Sequence, residues 1–408
     1  MKVKDEEKAQ KNIVELTSKH ILIIIENLPA PFDRRVWQEA TTLKDNGAKV
    51  SIICPKMRGY DKSFESIDNI DIYRHPLPVE ANGALGYLAE YSAALFWELV
   101  LSLKIHFKKR IHLIHACNPP DLIFLVALPF KLFGIKFVFD HHDINPELYL
   151  AKFGKKNLFY RLMVFFERLT FFFADYSIAT NESYKEIAVS RGKMNPEKVT
   201  IIRSGPSLKR LKLTSGNSVH KKGKKYLVGY VGVIGEQEGL DLLLQAVQII
   251  KRKRNDVQVA IVGGGTDLEK IKLLAAKLGV NDCVEFFGRV SDEVLVDVLN
   301  TCDVCVNPDK PTEMNNLSTM NKIMEYMALK KAIVQFDLKE GKASAKEASL
   351  YARNNDIQDF AEKICFLLDH EPERIRMGEY GYHRVLHELS WEYESEKLVS
   401  FYKSVFGG

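Results

Sequence analysis

Residues 20–54 read HILIIIENLPAPFDRRVWQEATTLKDNGAKVSIIC, and the order of the pieces decides the fold class. His20–Glu26 is a short β-branched apolar run, Arg34–Asp45 carries apolar side chains at helical spacing, Gly47 breaks the chain, and Lys49–Cys54 is a second apolar run. A strand, a helix and a strand in that order need a crossover connection, which calls for a parallel sheet with helices on its faces.

The alternation continues outward. Further strands are expected at Leu113–Ala116, Lys136–Asp140, Tyr176–Thr180 and Val199–Arg203, with helices from about Asp121 and over Leu158–Phe173. Gly205–Lys225 then turns polar and basic with no apolar period and reads as a linker. A second series follows, with strands at Tyr226–Val231, Val257–Val262, Val284–Phe287, Val304–Val306 and Ala332–Phe336. Between them lie helices at Leu240–Lys253, Asp267–Leu278, Asp292–Leu299 and about Thr319–Ala328. The expected class is α/β, with two Rossmann-like doubly wound domains facing across a cleft, where open sheets of this kind bind ligands. The boundaries follow: a polar leader over 1–19, a first domain over 20–205, a linker over 206–225 and a second domain over 226–385. The C-terminal helix, 386–408, either caps its own domain or crosses back to the first.

A chain of 408 residues exceeds what one hydrophobic core supports, which agrees with two domains. With 46% hydrophobic and 27% charged residues it reads as soluble, and a net charge of +5 is too mild to make nucleic acid a partner. The Lys/Glu-rich leader is unlike a secretory signal, so a cytoplasmic location is expected. The longest apolar runs, such as Leu122–Phe130, fall short of the roughly 18 to 20 residues that span a bilayer. Six cysteines lie scattered through apolar segments with a single Cys-x-x-Cys and no second ligand pair, so they read as buried thiols and not as a zinc site.

Three stretches carry candidate chemistry. Val262-Gly-Gly-Gly-Thr-Asp-Leu closes a strand and opens a helix, so Gly264 and Gly265 allow backbone N–H groups close to a phosphate. Asp267 stands where a dinucleotide fingerprint needs its third glycine, which argues against NAD. Val231-Gly-Val-Ile-Gly-Glu-Gln-Glu-Gly is a second such turn and contributes Gly232 and Gly235. The third stretch, 308–337, is PDKPTEMNNLSTMNKIMEYMALKKAIVQFD. Here Ser318 and Thr319 approach a helix start suited to an anion, and Lys322 and Glu325 share a helix face. A cation and a carboxylate offered together suit a nucleoside diphosphate, Lys322 on phosphate and Glu325 on ribose hydroxyls; an exposed helical ion pair is the plainer alternative.

The 308–337 segment resembles the signature of retaining glycosyltransferases of the GT-B fold, the large family that includes sucrose synthase and the bacterial mannosyl- and N-acetylglucosaminyltransferases. Their pattern of Glu, seven residues and Glu ahead of a Met-Ala stretch is matched in its second half by Glu325-Tyr-Met-Ala. The resemblance extends over the segments beginning at Ile25, FDHHDINPE, GYVGVIGEQEGLDLLLQAV, VGGG, VEFFGRV and HELSWEYE. It implies a retaining, metal-independent transferase that needs no cofactor besides its donor, a UDP-linked sugar. Two departures stand out. The first glutamate's position is Leu317, leaving Asn316 or Glu313 to contact the sugar, and the usual phosphate-binding Arg and Lys fall on Val233 and Glu238. Lys322, with Arg289 or Arg203, is then nominated for the diphosphate, and Val290 is placed with the donor-binding residues.

By similarity to the family's strand-end histidine, His142 in Asp140-His-His-Asp143 is the candidate that contacts a sugar or accepts a proton, with His141 in reserve. A metal site at His141, His142 and Asp143 is set aside, because adjacent strand residues point to opposite faces. Two aromatic and leucine stripes, Leu88, Tyr91, Leu95, Leu99, Leu103 and Leu158–Phe173, lie beside Lys104, Lys108, Lys109, Arg110 and Lys152, Lys155, Lys156. They suggest peripheral association with the anionic inner face of the cell membrane and a lipid-linked saccharide acceptor in polysaccharide synthesis. The rival readings are a non-catalytic nucleotide-sugar-binding subunit and a nucleotide-sugar 2-epimerase.

Overall fold

The computed structural model describes residues 16–77 and 83–407, with the backbone alone over 83–89. Most of the polar leader, and the Leu88 side chain, lie outside the described residues. Contacts divide the chain into two compact units: one runs through Arg203 and is joined by Ser395–Gly408, the other is Ser204–Glu394.

Unit 1 is built on eight strands: β1 His20–Ile24, β2 Lys49–Pro55, β3 Phe64–Ile67, β4 Ile70–His75, β5 Leu113–Cys117, β6 Lys136–His141, β7 Tyr176–Ala179 and β8 Val199–Ile201. Their order is β3-β4-β2-β1-β5-β6-β7-β8. Every pair is parallel except β3 with β4. All five residues of β1 are buried, as a central parallel strand covered on both faces requires. Chain order reverses at β1, which pairs with β2 on one side and β5 on the other. The β3–β4 hairpin turns at Asp68-Asn69, both at positive φ, the conformation that a two-residue hairpin turn demands. The last helix, Trp391–Gly407, enters unit 1 from Ser395 and buries Leu398, Tyr402 and Val405 there.

Unit 2 carries β9 Tyr226–Val231, β10 Val257–Val262, β11 Val284–Gly288, β12 Val304–Asn307, β13 Ala332–Phe336 and β14 Ser349–Ala352, in the order β11-β10-β9-β12-β13-β14. All its pairs are parallel, and the order reverses between β9 and β12. Ligand sites in such sheets form outside the carboxyl ends of the strands at this reversal.

The segment read as a linker is fastened to unit 2. Leu211 is buried, Thr214 N–H donates to Asn300 Oδ1 at 3.1 Å and Asn217 N–H to Thr301 Oγ1 at 2.7 Å. Its polar composition reflects edge contacts to helix Asp292–Thr301 instead of a free tether.

Candidate functional site

In unit 2, three loops meet at the carboxyl ends of β9, β10 and β12. The turn after β10 lies flat on the turn after β9. Gly232 N–H donates to Val262 O at 3.0 Å, Ile234 N–H to Gly264 O at 3.2 Å and Asp267 N–H to Ile234 O at 3.0 Å. Glycine is required for this stacking. Gly263 has φ +138, and a Cβ on it would stand 1.8 Å from Gly232 O; one on Gly265 would stand 2.2 Å from Ile234 O. The loop after β12 closes from the other side. Asn315 Nδ2 donates to both Gln237 O and Lys310 O at 2.9 Å, and a Cβ on Gly239 would lie 2.0 Å from Pro308 O.

Lys322 lies beside this backbone floor. It occupies the first turn of helix Asn321–Ala328, whose preceding residue Met320 supplies no side-chain capping bond. An uncapped helix start leaves N–H groups for an anion. The Lys322 Nζ bonds Asp309 Oδ1 at 2.9 Å, sits 4.9 Å from the Tyr230 ring centroid, and the chain's Cε is 3.3 Å from where a Gly232 Cβ would be. Burial works against its charge, but Asp309, Tyr230 and Glu238 together outweigh burial, so the ammonium is held above its ordinary pKa. Arg289 lines the β10 turn, its Nε 3.4 Å from a Gly264 Cβ position, and among the described residues it has no ion pair.

The other nominated residues are placed as follows. Glu325 does not pair with Lys322; its carboxylate engages Arg210, which also bonds Asp292 Oδ1 at 3.1 Å. Asn316 Oδ1 accepts from Lys339 N–H at 2.8 Å. Ser318 and Thr319 form the half-buried link between helix Glu313–Leu317 and helix Asn321–Ala328. Val290, partly buried, packs against a core cluster that includes Ile323 and Met324, and Gly235 is buried with Glu238 Oε2 2.8 Å from its Cβ position. Val233 is exposed. Burial raises the Glu238 carboxyl above its ordinary pKa; Lys322 pulls it down and Asp309 pushes it up. Arg203 belongs to unit 1.

In unit 1, His141 and His142 part company. His141 is fully buried, its ring 5.0 Å from Phe171 and 5.3 Å from Tyr184, with Nε2 3.3 Å from Glu167 Oε1. The reserve candidate is a core residue. His142 keeps an 11% exposed side chain with Nδ1 3.4 Å from Asp140 Oδ2. Its backbone is pinned by Asn118, whose Oδ1 accepts from His142 N–H at 3.0 Å and Asp143 N–H at 3.1 Å. Burial lowers the His142 pKa, but the bond to and charge of Asp140, with the charge of Asp143, outweigh it and lift it to about 9. The ring is therefore an imidazolium at neutral pH, a donor of hydrogen bonds and not a proton acceptor. His115, Cys117 and Asp140 bring ligand atoms within 4.8 Å of one another. The cation this buried cluster holds is Arg35, bonded to Asp140 at 2.9 and 2.8 Å. Asp309, Arg210, Asn315, Arg35 and Asn118 had no motif to announce them, because each acts through partners distant in sequence.

Two family models match in tandem. "Glycosyltransferase Family 4" covers residues 33–210 and "Glycosyl transferases group 1" covers 214–384. The chain belongs to the group 1 glycosyltransferases of GT-B fold. This glycosyltransferase is 24% identical over 262 residues to the capsular polysaccharide biosynthesis glycosyltransferase CapM of Staphylococcus aureus, covering 61% of this chain and 67% of that one. It is 26% identical over 188 residues to a D-inositol 3-phosphate glycosyltransferase of Corynebacterium jeikeium, covering 44% and 43% of the two chains. The matched stretches thus span 43% and 67% of those relatives' own lengths. Among solved structures, sucrose-phosphate synthase from Thermosynechococcus elongatus superposes with TM-score 0.79 at 18% identity, covering 95% of this chain and 99% of the other. Anabaena HepE in complex with UDP and glucose superposes with TM-score 0.72 at 15% identity, covering 94% and 99%. At these identities the likeness establishes the fold.

Replacing Gly263 by Ala is expected to destabilise unit 2, with about 1–3 kcal/mol from the backbone conformation alone before the clash with Gly232 is added. Denaturant unfolding followed by fluorescence checks this; an unchanged midpoint would show that the two turns do not need to touch.

Proposed function

We propose that this glycosyltransferase moves a sugar, with retention of configuration, from a UDP-linked donor onto a lipid-linked saccharide at the inner face of the cell membrane. The observation that carries the reading is Lys322, held charged by Asp309 above two stacked glycine turns at the strand-order reversal of unit 2. Backbone N–H groups, the start of helix Asn321–Ala328, Lys322 and Arg289 offer positive potential where a diphosphate would leave. Ser318, Thr319, Asn316, Gly232, Gly235, Gly264, Gly265 and Val290 line the donor, and Glu325 accepts from it within its pairing to Arg210. His142 donates a hydrogen bond to a sugar oxygen, and unit 1 holds the acceptor. No helper beyond the donor nucleotide is assigned in this reading. The UDP and glucose named with the HepE structure, and the capsular polysaccharide named for CapM, support these choices of donor and product.

One observation favours a second reading, binding without transfer: Leu317 and Glu238 stand where the resemblance expects a carboxylate and a cation. UDP release from a panel of UDP-sugars with polyprenyl-diphosphate saccharides in vesicles separates the two, since a binding subunit releases none.

Lys322→Ala is expected to slow turnover about a hundredfold, the usual effect of losing one group that stabilises transition-state charge; wild-type rates would remove the assignment. Glu238 acts in the opposite sense. When ionised it repels the diphosphate, so a bound diphosphate raises its pKa and takes up a proton, and affinity falls as pH rises through that pKa. Glu238→Gln is therefore expected to tighten UDP binding about threefold to tenfold above that pKa and to flatten its pH dependence, by calorimetry. Weaker binding by the Gln variant would contradict this.

The membrane part of the reading rests on an inverted helix. Among the described residues no helix is long and apolar enough to cross a membrane. Helix Gly83–Lys108 nonetheless buries Glu98 and Ser102 while exposing Phe96, Val100, Leu103 and Phe107 along one face. Helix Leu158–Phe173 exposes Leu158, Phe159, Leu162, Phe165 and Phe172, and helix Phe124–Lys131 packs against both. Lys104, Lys108, Lys152, Lys155 and Lys156 are exposed beside them. Apolar side chains facing outward next to cations suit an anionic bilayer. Each lysine removed is expected to weaken binding to phosphatidylserine vesicles about fivefold, from about 1 kcal/mol per cation. Equal flotation with neutral and anionic vesicles would contradict the electrostatic part.

A further inference from the structure

We propose that Asp140 is a positioning residue for His142: it holds the ring by Nδ1, keeps it protonated, and leaves Nε2 as the nitrogen that meets a ligand. The inference rests on the reading of His142 as a sugar contact and adds the residue that sets its charge and orientation.

The geometry singles out Asp140 among the groups that surround the ring. Asp140 closes β6 two residues before His142 and is fully buried. Both of its oxygens are taken by Arg35, Nε to Oδ2 at 2.9 Å and Nη2 to Oδ1 at 2.8 Å. That bidentate grip, and not solvent, keeps the carboxylate ionised: burial would raise its pKa, and Arg35, His115 and His142 together hold it well below the carboxylate range. Arg35 is itself fixed, donating to Ile202 O at 3.1 Å and lying 3.1 Å from Glu39 Oε1. Oδ2 is then shared with His142 Nδ1 at 3.4 Å, His115 Nε2 at 3.5 Å and the Cys117 thiol at 3.7 Å. His115 is held in turn from the C-terminal helix, its Nδ1 bonded to the Tyr402 hydroxyl.

The remaining charged groups near the ring are Glu39 on helix Arg34–Asp45, Asp143 and Arg35. Glu39, its carboxyl raised to about 6 by burial with Arg35 lowering it and Asp140 raising it, is itself lowered by the His142 charge and so favours the imidazolium as well. Arg35 opposes the imidazolium, while Asp143, itself raised by burial, favours it less than Asp140 does. Without Asp140, burial and Arg35 would leave His142 neutral near pH 7 and free to adopt either tautomer.

The sign follows. A His142 pKa lifted by Asp140 keeps the ring charged at neutral pH and discharges it only as pH rises through about 9. In Asp140→Asn the ring discharges below neutrality. Turnover of that variant is expected to fall at least tenfold at pH 8 and to recover toward the wild-type value at pH 6, where the ring is protonated without help. A merely structural role would lower activity alike at both pH values, and that result, or no loss at all, overturns the proposal. The wild-type protein tests it separately, whether or not Asp140→Asn folds. With 15N-histidine labelling, His142 should titrate well above an ordinary histidine and carry its proton on Nδ1 after discharge; an ordinary or lowered pKa, or an Nε2–H tautomer, overturns it. His142→Ala distinguishes the two levels. Unchanged turnover in His142→Ala removes the sugar-contact reading, while loss in that variant with no pH effect in Asp140→Asn removes this inference alone.

Discussion

A lysine ammonium drawn into a protein interior must find a counter-ion, and in unit 2 that counter-ion is Asp309, only 2% exposed and 2.9 Å from Lys322. Stripping one partner from such a pair leaves a buried charge uncompensated, at about 3–5 kcal/mol. The arrangement of the loops follows from keeping this pair together. Asp309 comes from the loop after β12, Lys322 from the helix that follows it, and the floor beneath them from the turns after β9 and β10. Asn315 ties the β12 loop to Gln237, so all three segments are fixed relative to one another without a ligand's help. A preorganised cation of this kind needs no reorganisation when negative charge appears beside it.

Unit 1 answers the same constraint differently. Arg35 occupies the place among Asp140, Glu39, His115 and Cys117 that a bound cation would otherwise claim. Its fixed positive charge allows several acidic groups to remain buried at the carboxyl ends of β5 and β6. The Lys322–Asp309 pair lies against the glycine turns, with Lys322 Cε 3.3 Å from where a Gly232 Cβ would be. In the Arg35 cluster Arg35, Glu39, His115 and Asp140 are buried, while His142 beside them keeps an 11% exposed side chain. Elsewhere in the unit, Glu26 and Glu98 are buried with no ion pair among the described residues, and burial raises them to about 7 and about 8.

The alternation of apolar runs made the sheets legible: β9, β10 and β13 and the helices Leu240–Lys253 and Leu158–Phe173 lie where hydrophobic periodicity places them. Strands β3 and β4 were hidden because Phe64–His75 mixes charged residues into the alternation, and β3 is an exposed edge. Within the site, glycine spacing and the Lys322 position could be read directly, since short-range pattern determines a turn or a helix start. The partners could not. Arg210 with Glu325, Asp309 with Lys322 and Arg35 with Asp140 join residues 115, 13 and 105 apart, and no local pattern encodes such a meeting. The apolar stripe of helix Gly83–Lys108 was legible as helical, but the exposed face is Phe96, Val100, Leu103 and Phe107, because Glu98 and Ser102 turn inward.

The central claim is that the turns after β9 and β10, together with residues 318–325, hold a nucleoside diphosphate. Hydrogen–deuterium exchange with and without UDP tests it most directly. Protection is expected to concentrate in 232–239, 263–267 and 318–325; UDP that leaves these segments unprotected, or shields a different part of unit 2, would contradict the account.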